Sequence, residues 1–198
     1  AIEAMAQSQA EYLGASELAQ RMGINRGRMF RILKTLEKRE WVEFDPHTQD
    51  YRLGWKFLLI AERMRDRLNL RREALDILSQ LAQTTGDAAG LLLRYRDHAV
   101  CVEQQTGSHM IQVANLIGRP IPLHVGAAPK VLLAFLPEPE REALLASIEL
   151  TRFTPYTIMD RGDLRRCLEQ IRTQGYAVDR QDYEVGVFAF GAPVYDHG

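Results

Sequence analysis

The stretch Gly23-Ile24-Asn25-Arg26-Gly27-Arg28-Met29-Phe30-Arg31-Ile32-Leu33-Lys34-Thr35-Leu36 constrains this chain most. Met29, Ile32, Leu33 and Leu36 fall at i, i+3, i+4 and i+7, which is one apolar stripe on a helix. The opposite side carries Arg28, Arg31, Lys34 and Thr35, with Arg26 in the first turn, and Asn25 is a good N-cap. From Arg21 to Arg39 there are seven basic residues and one acid, in a chain whose net charge is −1. A helix with a buried seam and a basic face suits the DNA major groove, where Arg reads guanine and Lys or Arg meets phosphate. An ordinary surface helix with a solvated basic face has the same pattern, so the flanks decide.

Upstream, Ala15 to Gly23 reads as a short helix, with Ser16 as N-cap, Leu18, Ala19 and Met22 inward, and Gly23 as its stop. Two short helices joined by about three residues with Gly in the turn make a helix-turn-helix. Downstream, Trp41-Val42-Glu43-Phe44 alternates, Asp45 to Asp50 turns, and Tyr51-Arg52-Leu53 alternates again, which is a β-hairpin with a polar tip. A helix-turn-helix followed by a hairpin is a winged helix. Within it Arg26, Arg28, Arg31 and Lys34 are expected to contact DNA, and Thr35, His47 and Thr48 to touch its backbone. Phe30 has two readings: it packs between helix and wing, or it lies against a thymine methyl.

With 198 residues the chain has room for two small domains or one large one. Its near neutrality excludes an undirected polycation, so nucleic-acid binding must come from the local patch. Cys101 and Cys167 form no ligand pattern, and a reducing cytoplasm is the natural compartment. Apolar runs such as Val131 to Leu136 are too short to span a bilayer. No signal peptide is visible, and the chain opens mid-pattern at Ala1-Ile2-Glu3.

Residues 1–54 are expected to form the winged helix-turn-helix, residues 55–70 a linker helix, and residues 71–198 a second domain. The linker is apolar on several sides, through Trp55, Phe57, Leu58, Leu59, Ile60 and Met64. It is either buried between two domains of one chain or packed on a second protomer, and the second reading is preferred. Arg71 to Thr85 is amphipathic, with Ala74, Leu75, Leu78, Leu81 and Ala82 inward. Strands are expected at Gly90–Tyr95, Ala99–Glu103 and Met110–Ala114, and Pro129 opens a helix from Lys130 to Leu136. Helices follow at about Glu140–Ser147 and Asp163–Thr173, the latter capped by Gly175. Tyr176–Val178 and Gly186–Val194 return to strand. The mixture is α+β.

No G-x-S-x-G, H-E-x-x-H, C-x-x-C, Walker loop or G-x-G-x-x-G is present. His47, His98, His109, His124 and His197 are scattered, and the Cys-to-His spacings suggest no zinc site. Asp179, Asp182 and Glu184 cluster near a strand end, either as an acid-base pair or as a solvated loop, and the loop is the preferred reading. No catalytic residue, metal or cofactor is expected.

Several motifs, taken in order, resemble the isocitrate-lyase-regulator (IclR) family of bacterial transcription factors. Glu17 to Ile24, Arg31-Ile32-Leu33 and Leu36-Glu37 resemble its winged helix, and Tyr51-Arg52-Leu53-Gly54 its exit from the wing. Pro122-Leu123-His124-Val125-Gly126-Ala127-Ala128-Pro129-Lys130-Val131-Leu132-Leu133-Ala134 is similar to its loop-to-helix motif. Thr157-Ile158, Ile171 to Asp179, Gly186-Val187 and Ala192-Pro193-Val194 follow in order. The resemblance implies a GAF-like effector-binding domain, dimers through the DNA-binding and linker region, and often tetramers. Carried over by position, Ala127, Ala128, Asp179, Val187 and Ala189 line the effector pocket. The chain departs from the family at Pro129 (usually Gly), Gln181 (commonly an acid) and Ala189 (often Cys). The family also continues past Gly198 into elements that complete the pocket.

The expectation is therefore a regulator, of the repressor kind, that binds a palindromic DNA operator as a dimer or tetramer. A small organic or aromatic acid modulates it. The alternative is a small-molecule sensor whose winged helix makes protein contacts only. A basic, non-apolar recognition face favours DNA.

Overall fold

The computed structural model describes residues 1–66, 69–109 and 116–195. The chain divides into two compact units, Ala1–Leu68 and Asn69–Gly198.

The first unit contains α1 (Ile2–Ala6), α2 (Ala15–Arg21), α3 (Arg26–Lys38), β1 (Val42–Asp45), β2 (Asp50–Leu53) and α4 (Lys56–Asp66). Its core gathers Met5, Leu13, Leu18, Ala19, Met29, Leu33, Val42 and Tyr51. Burying the leucine, valine and methionine side chains among these stabilises the unit by about 1.5–3 kcal/mol each. Met29 and Leu33 carry the α3 stripe at full burial, whereas Ile32 and Leu36 lie half-buried at its edge. The start of α3 is set by Asn25, whose side chain accepts a 2.8 Å bond from the Arg28 N–H. That bond satisfies a donor the helix itself leaves free.

Two local expectations for α2 fail. Its N-cap is Gly14, with no side-chain cap, so Ser16 is already inside the helix. Met22, expected inward, is 43% exposed, because α2 ends at Arg21 and Met22 is the C-cap residue turning toward Gly23. Gly23 itself takes φ +63°, the left-handed conformation that favours glycine.

The wing pairs β1 antiparallel to β2 in the register Val42↔Leu53, Glu43↔Arg52, Phe44↔Tyr51 and Asp45↔Asp50. A third segment joins it: Leu13 and Tyr51 exchange backbone hydrogen bonds of 2.9 and 3.0 Å. On and before α4, Trp55, Leu58, Leu59 and Met64 are each more than half exposed within the chain. The expected linker helix runs across residues 67 and 68, which lie outside the described residues.

The second unit contains α5 (Asn69–Thr85), β3 (Ala89–Tyr95), β4 (His98–Gln105), β5 (Pro120–Pro122), α6 (Ala127–Ala134), α7 (Glu138–Ser147), α8 (Arg161–Gln174), β6 (Ala177–Arg180) and β7 (Phe188–Gly191). The order β3-β4-β5 forms one antiparallel sheet, and β6-β7 a second. Leu123, Val131, Leu133, Leu145, Leu164, Leu168 and Ile171 build its main core with α6, α7 and α8. A smaller cluster joins Leu78 and Ala82 of α5 to Ala89 and Leu91 of β3. Leu81, expected inward, is 50% exposed, because Leu78 and Ala82 define the packed row and Leu81 falls at its edge.

The β3–β4 turn is shorter than the three residues expected. Tyr95 pairs directly with His98, and Arg96 takes φ +57°. The strand expected at Met110–Ala114 lies outside the described residues, as does His197. Helix α6 begins at Ala127, three residues before Lys130, so Pro129 sits inside its first turn. Asp160 caps α8, and Gly175 ends it at φ +86°. The fold is α+β, as the alternation of patterns indicates.

Candidate nucleic-acid interface

In the first unit, Arg26, Arg28, Arg31 and Thr35 are all exposed on α3. An open groove beside the helix is lined by Arg28, Arg31, Ile32, Thr35 and Leu36. Thr35 Oγ1 donates to the Arg31 carbonyl at 2.8 Å, which leaves the oxygen to accept but not its proton to give. Lys34 points toward the wing. Its Nζ lies 2.8 Å from Glu37 Oε2, 4.9 Å from the centre of the Phe44 ring and 5.7 Å from that of Phe30. The hydrogen bond with Glu37 raises the Lys34 pKa.

The wing tip is tied from within. The His47 N–H donates to Asp45 Oδ1 at 2.8 Å, and the Gln49 N–H to the Asp45 carbonyl at 2.9 Å. The first of these bonds holds the Asp45 carboxyl below its ordinary range. His47 and Thr48 remain exposed at the tip. Phe30 does not pack between helix and wing. It is 48% exposed, and Phe44 instead lies against Tyr51 with ring centres 4.9 Å apart.

In the second unit, Ala127 and Asp179 are buried, and Ala128, Val187 and Ala189 are half-buried. Asp179 and Ala189 are register partners across β6 and β7. The backbone of Gly191 presses on the start of α6 so closely that a Cβ there would sit 2.8 Å from the Ala128 nitrogen. Four of the five residues expected at the pocket therefore gather where β6 and β7 meet the first turn of α6. Val187 lies in the loop just before β7, where its N–H donates to the Glu184 carbonyl at 3.2 Å and its carbonyl accepts from the Gln181 N–H at 3.1 Å.

The chemistry beneath that junction escaped sequence reasoning. Asp182 is buried, and its carboxylate pairs with the Nζ of buried Lys130. Its other oxygen accepts from the Gly126 N–H at 2.7 Å. The Asp182 N–H donates to Asp179 Oδ1 at 2.8 Å, and Thr157 Oγ1 donates to the Asp182 carbonyl at 2.7 Å. Asp179 and Asp182 thus form no solvated loop; only Glu184 of the three acids is exposed. Burial first, and the hydrogen bond with Asp182 second, push the Asp179 carboxyl up to about 7. A lysine inside the otherwise apolar run Ala127 to Ala134 was the signal, since a buried ammonium needs a buried partner.

His124 is also buried, with Nε2 2.9 Å from the Thr151 carbonyl oxygen and 3.1 Å from its nitrogen. Burial lowers its pKa, which keeps the ring neutral near pH 7. Among the described residues, no group of three His, Cys, Asp or Glu side chains could hold a metal ion. No helix among them is long and apolar enough to cross a membrane.

A capped basic recognition helix beside a hairpin, carried on the same chain as an α+β unit, defines a winged helix-turn-helix transcriptional regulator. Comparison with known proteins narrows the class. Residues 63–198 match the family described as bacterial transcriptional regulator IclR C-terminal, and residues 8–53 match the MarR family. The HTH-type transcriptional regulator XynR of Escherichia coli is 33% identical over 96% of this chain and 75% of its own length. The HTH-type transcriptional repressor AllR of Klebsiella pneumoniae is 31% identical over 84% of this chain and 61% of its own. The crystal structure of an IclR regulator from Alicyclobacillus acidocaldarius superposes with a TM-score of 0.84 at 27% identity, covering 99% of this chain and 79% of that one. The chain belongs to the IclR family of bacterial transcriptional regulators.

Proposed function

We propose that this regulator is a cytoplasmic repressor without catalytic activity, which binds a palindromic operator as a dimer and is modulated by a small organic or aromatic acid. The observation that carries the DNA half is the exposure of Arg26, Arg28 and Arg31 on one capped helix, beside a wing tip that presents His47 and Thr48. Arg31, on the outer face, or Arg28 beside it reads a guanine edge. Arg26, His47 and Thr48 meet the sugar-phosphate backbone, and Thr35 donates to it once its hydroxyl turns from the Arg31 carbonyl. Lys34 adds positive charge but is shared with Glu37. Two units on one duplex double the base contacts, and Trp55, Leu58, Leu59 and Met64 offer the apolar surface through which two copies pair. The repressor sense follows AllR, which is named a repressor.

The effector half rests on the small residues Ala127, Ala128 and Ala189 beside Asp179, with Val187 at the loop edge. Pro129 has no N–H, and the Gly126 N–H is already taken by Asp182. An anion therefore gains less at the start of α6 than helix geometry alone would give. A carboxyl at Asp179 that holds its proton up to about neutral pH puts no negative charge beside a ligand carboxylate.

The test is binding-site selection from a random duplex library, followed by anisotropy titration at rising salt. The expected result is one symmetric motif, with an affinity that falls steeply as salt rises, by a slope of about 0.9 per phosphate neutralised. A winged helix that contacts only protein would select no sequence, and that outcome would sink the proposal.

A further inference from the structure

Phe30 is a large apolar side chain on a face otherwise made of cations. It is the fifth residue of α3, one turn after Arg26 and one turn before Lys34, so the three share a row along the helix. The gap between helix and wing is closed without it, by Phe44 against Tyr51 and by Lys34 over Phe44. The ring is left 48% exposed. Arg26, Arg28 and Arg31 around it attract a polyanion, and the apolar group that a duplex offers in its major groove is the C5-methyl of thymine.

We infer that Phe30 is a specificity-determining residue that packs on a thymine methyl in each operator half-site, beside the base pair read by arginine. The inference rests on the DNA-binding reading above. Hydrogen-bond readout by Arg31 or Arg28 distinguishes guanine, and Phe30 distinguishes thymine from cytosine at a neighbouring position, where cytosine offers no methyl.

Deoxyuridine removes that methyl and leaves every hydrogen-bonding group of thymine in place. The experiment takes the duplex selected by the whole chain and replaces each thymine of a half-site in turn by deoxyuridine. Affinity is measured for the wild type, Phe30→Ala and Phe30→Leu, with thermal melting to show that the variants fold. One position is expected to weaken wild-type binding by about fourfold, the ~0.8 kcal/mol of one buried methyl at ~1.4 kcal/mol per tenfold. Phe30→Ala should bind both duplexes equally, and Phe30→Leu should keep part of the difference. If no replacement weakens the wild type, or if the same replacement weakens Phe30→Ala as much, the role of Phe30 is refuted while DNA binding stands. If the chain selects no sequence, the DNA-binding reading fails first and takes this one with it.

Discussion

Replacing Asp179 by Asn tests the buried polar junction directly. Asp179 is only 2% exposed, and its Oδ1 accepts the Asp182 N–H at 2.8 Å, a bond that an amide oxygen preserves. The amide nitrogen then stands where the carboxyl proton does, toward Asp182. The folded chain holds a proton on Asp179 up to about pH 7, whereas the unfolded chain releases it near its ordinary 3.8. Between those values the folded state binds more protons, so wild-type stability falls as pH rises from about 4 to about 7, and the loss is complete above that. Moving the carboxyl from 3.8 to about 7 sets a ceiling of about 4 kcal/mol, at ~1.4 kcal/mol per tenfold. Asn carries no charge to desolvate. Asp179→Asn is therefore expected to be more stable than the wild type at pH 8, by about 2–4 kcal/mol, and to converge with it only at about pH 4 and below. Urea unfolding followed by circular dichroism across that range reads the difference. With a slope of about 2 kcal/mol per molar urea, the midpoint at pH 8 should rise by about 1–2 M. A variant that is equally or less stable at pH 8, or a gap that widens toward acid, would refute the assignment of a protonated, buried Asp179.

Three further outcomes are expected. Arg31→Ala should cost about 1–3 kcal/mol in operator binding and relax the preference at one base pair; an unchanged selected motif would move base reading to Arg28. Replacing Leu58 and Leu59 together by Asp should give monomers in sedimentation that bind the operator weakly, and a variant that still sediments as the wild-type oligomer places the interface off α4. Lys130→Met should destabilise the second unit by about 3–5 kcal/mol in urea unfolding, because it strands a buried carboxylate. An unchanged urea midpoint for the variant would refute the pairing argument.

What could be read before folding follows the distance over which each feature is encoded. The α3 helix, its Asn25 cap, the hairpin and the Gly175 stop are written within a few residues of where they act, and local rules find them. Ser16 misled because a cap depends on where the first turn begins, and Gly14 begins it one residue before Ala15. Met22 misled because periodicity continues on paper after the helix has ended. The Leu13–Tyr51 bridge and the Lys130–Asp182 pair each join residues dozens of positions apart, and no local pattern carries that information. Of the residues carried over to the second unit by family resemblance, Asp179 proved to be held by its own loop through Asp182. Which side chains enclose a bound effector is a matter of long-range packing that sequence spacing does not encode.

The bridge at Leu13 has a consequence for how the wing meets a duplex. Two backbone hydrogen bonds sew the segment before α2 to β2, and Arg52 reaches Glu43, Glu11 and Tyr12 across the same region. The hairpin is paired up to Asp45 and Asp50, and even its four-residue tip is laced by Asp45 and Gln49. Fixing one free backbone residue costs about 1–2 kcal/mol. A loose arm would forfeit that freedom on reaching DNA, whereas this one surrenders it during folding. Such a reader discriminates by fit. On the DNA-binding reading proposed above, a duplex whose contour departs from the wing binds poorly, and the unit need not remodel itself to accept the right one.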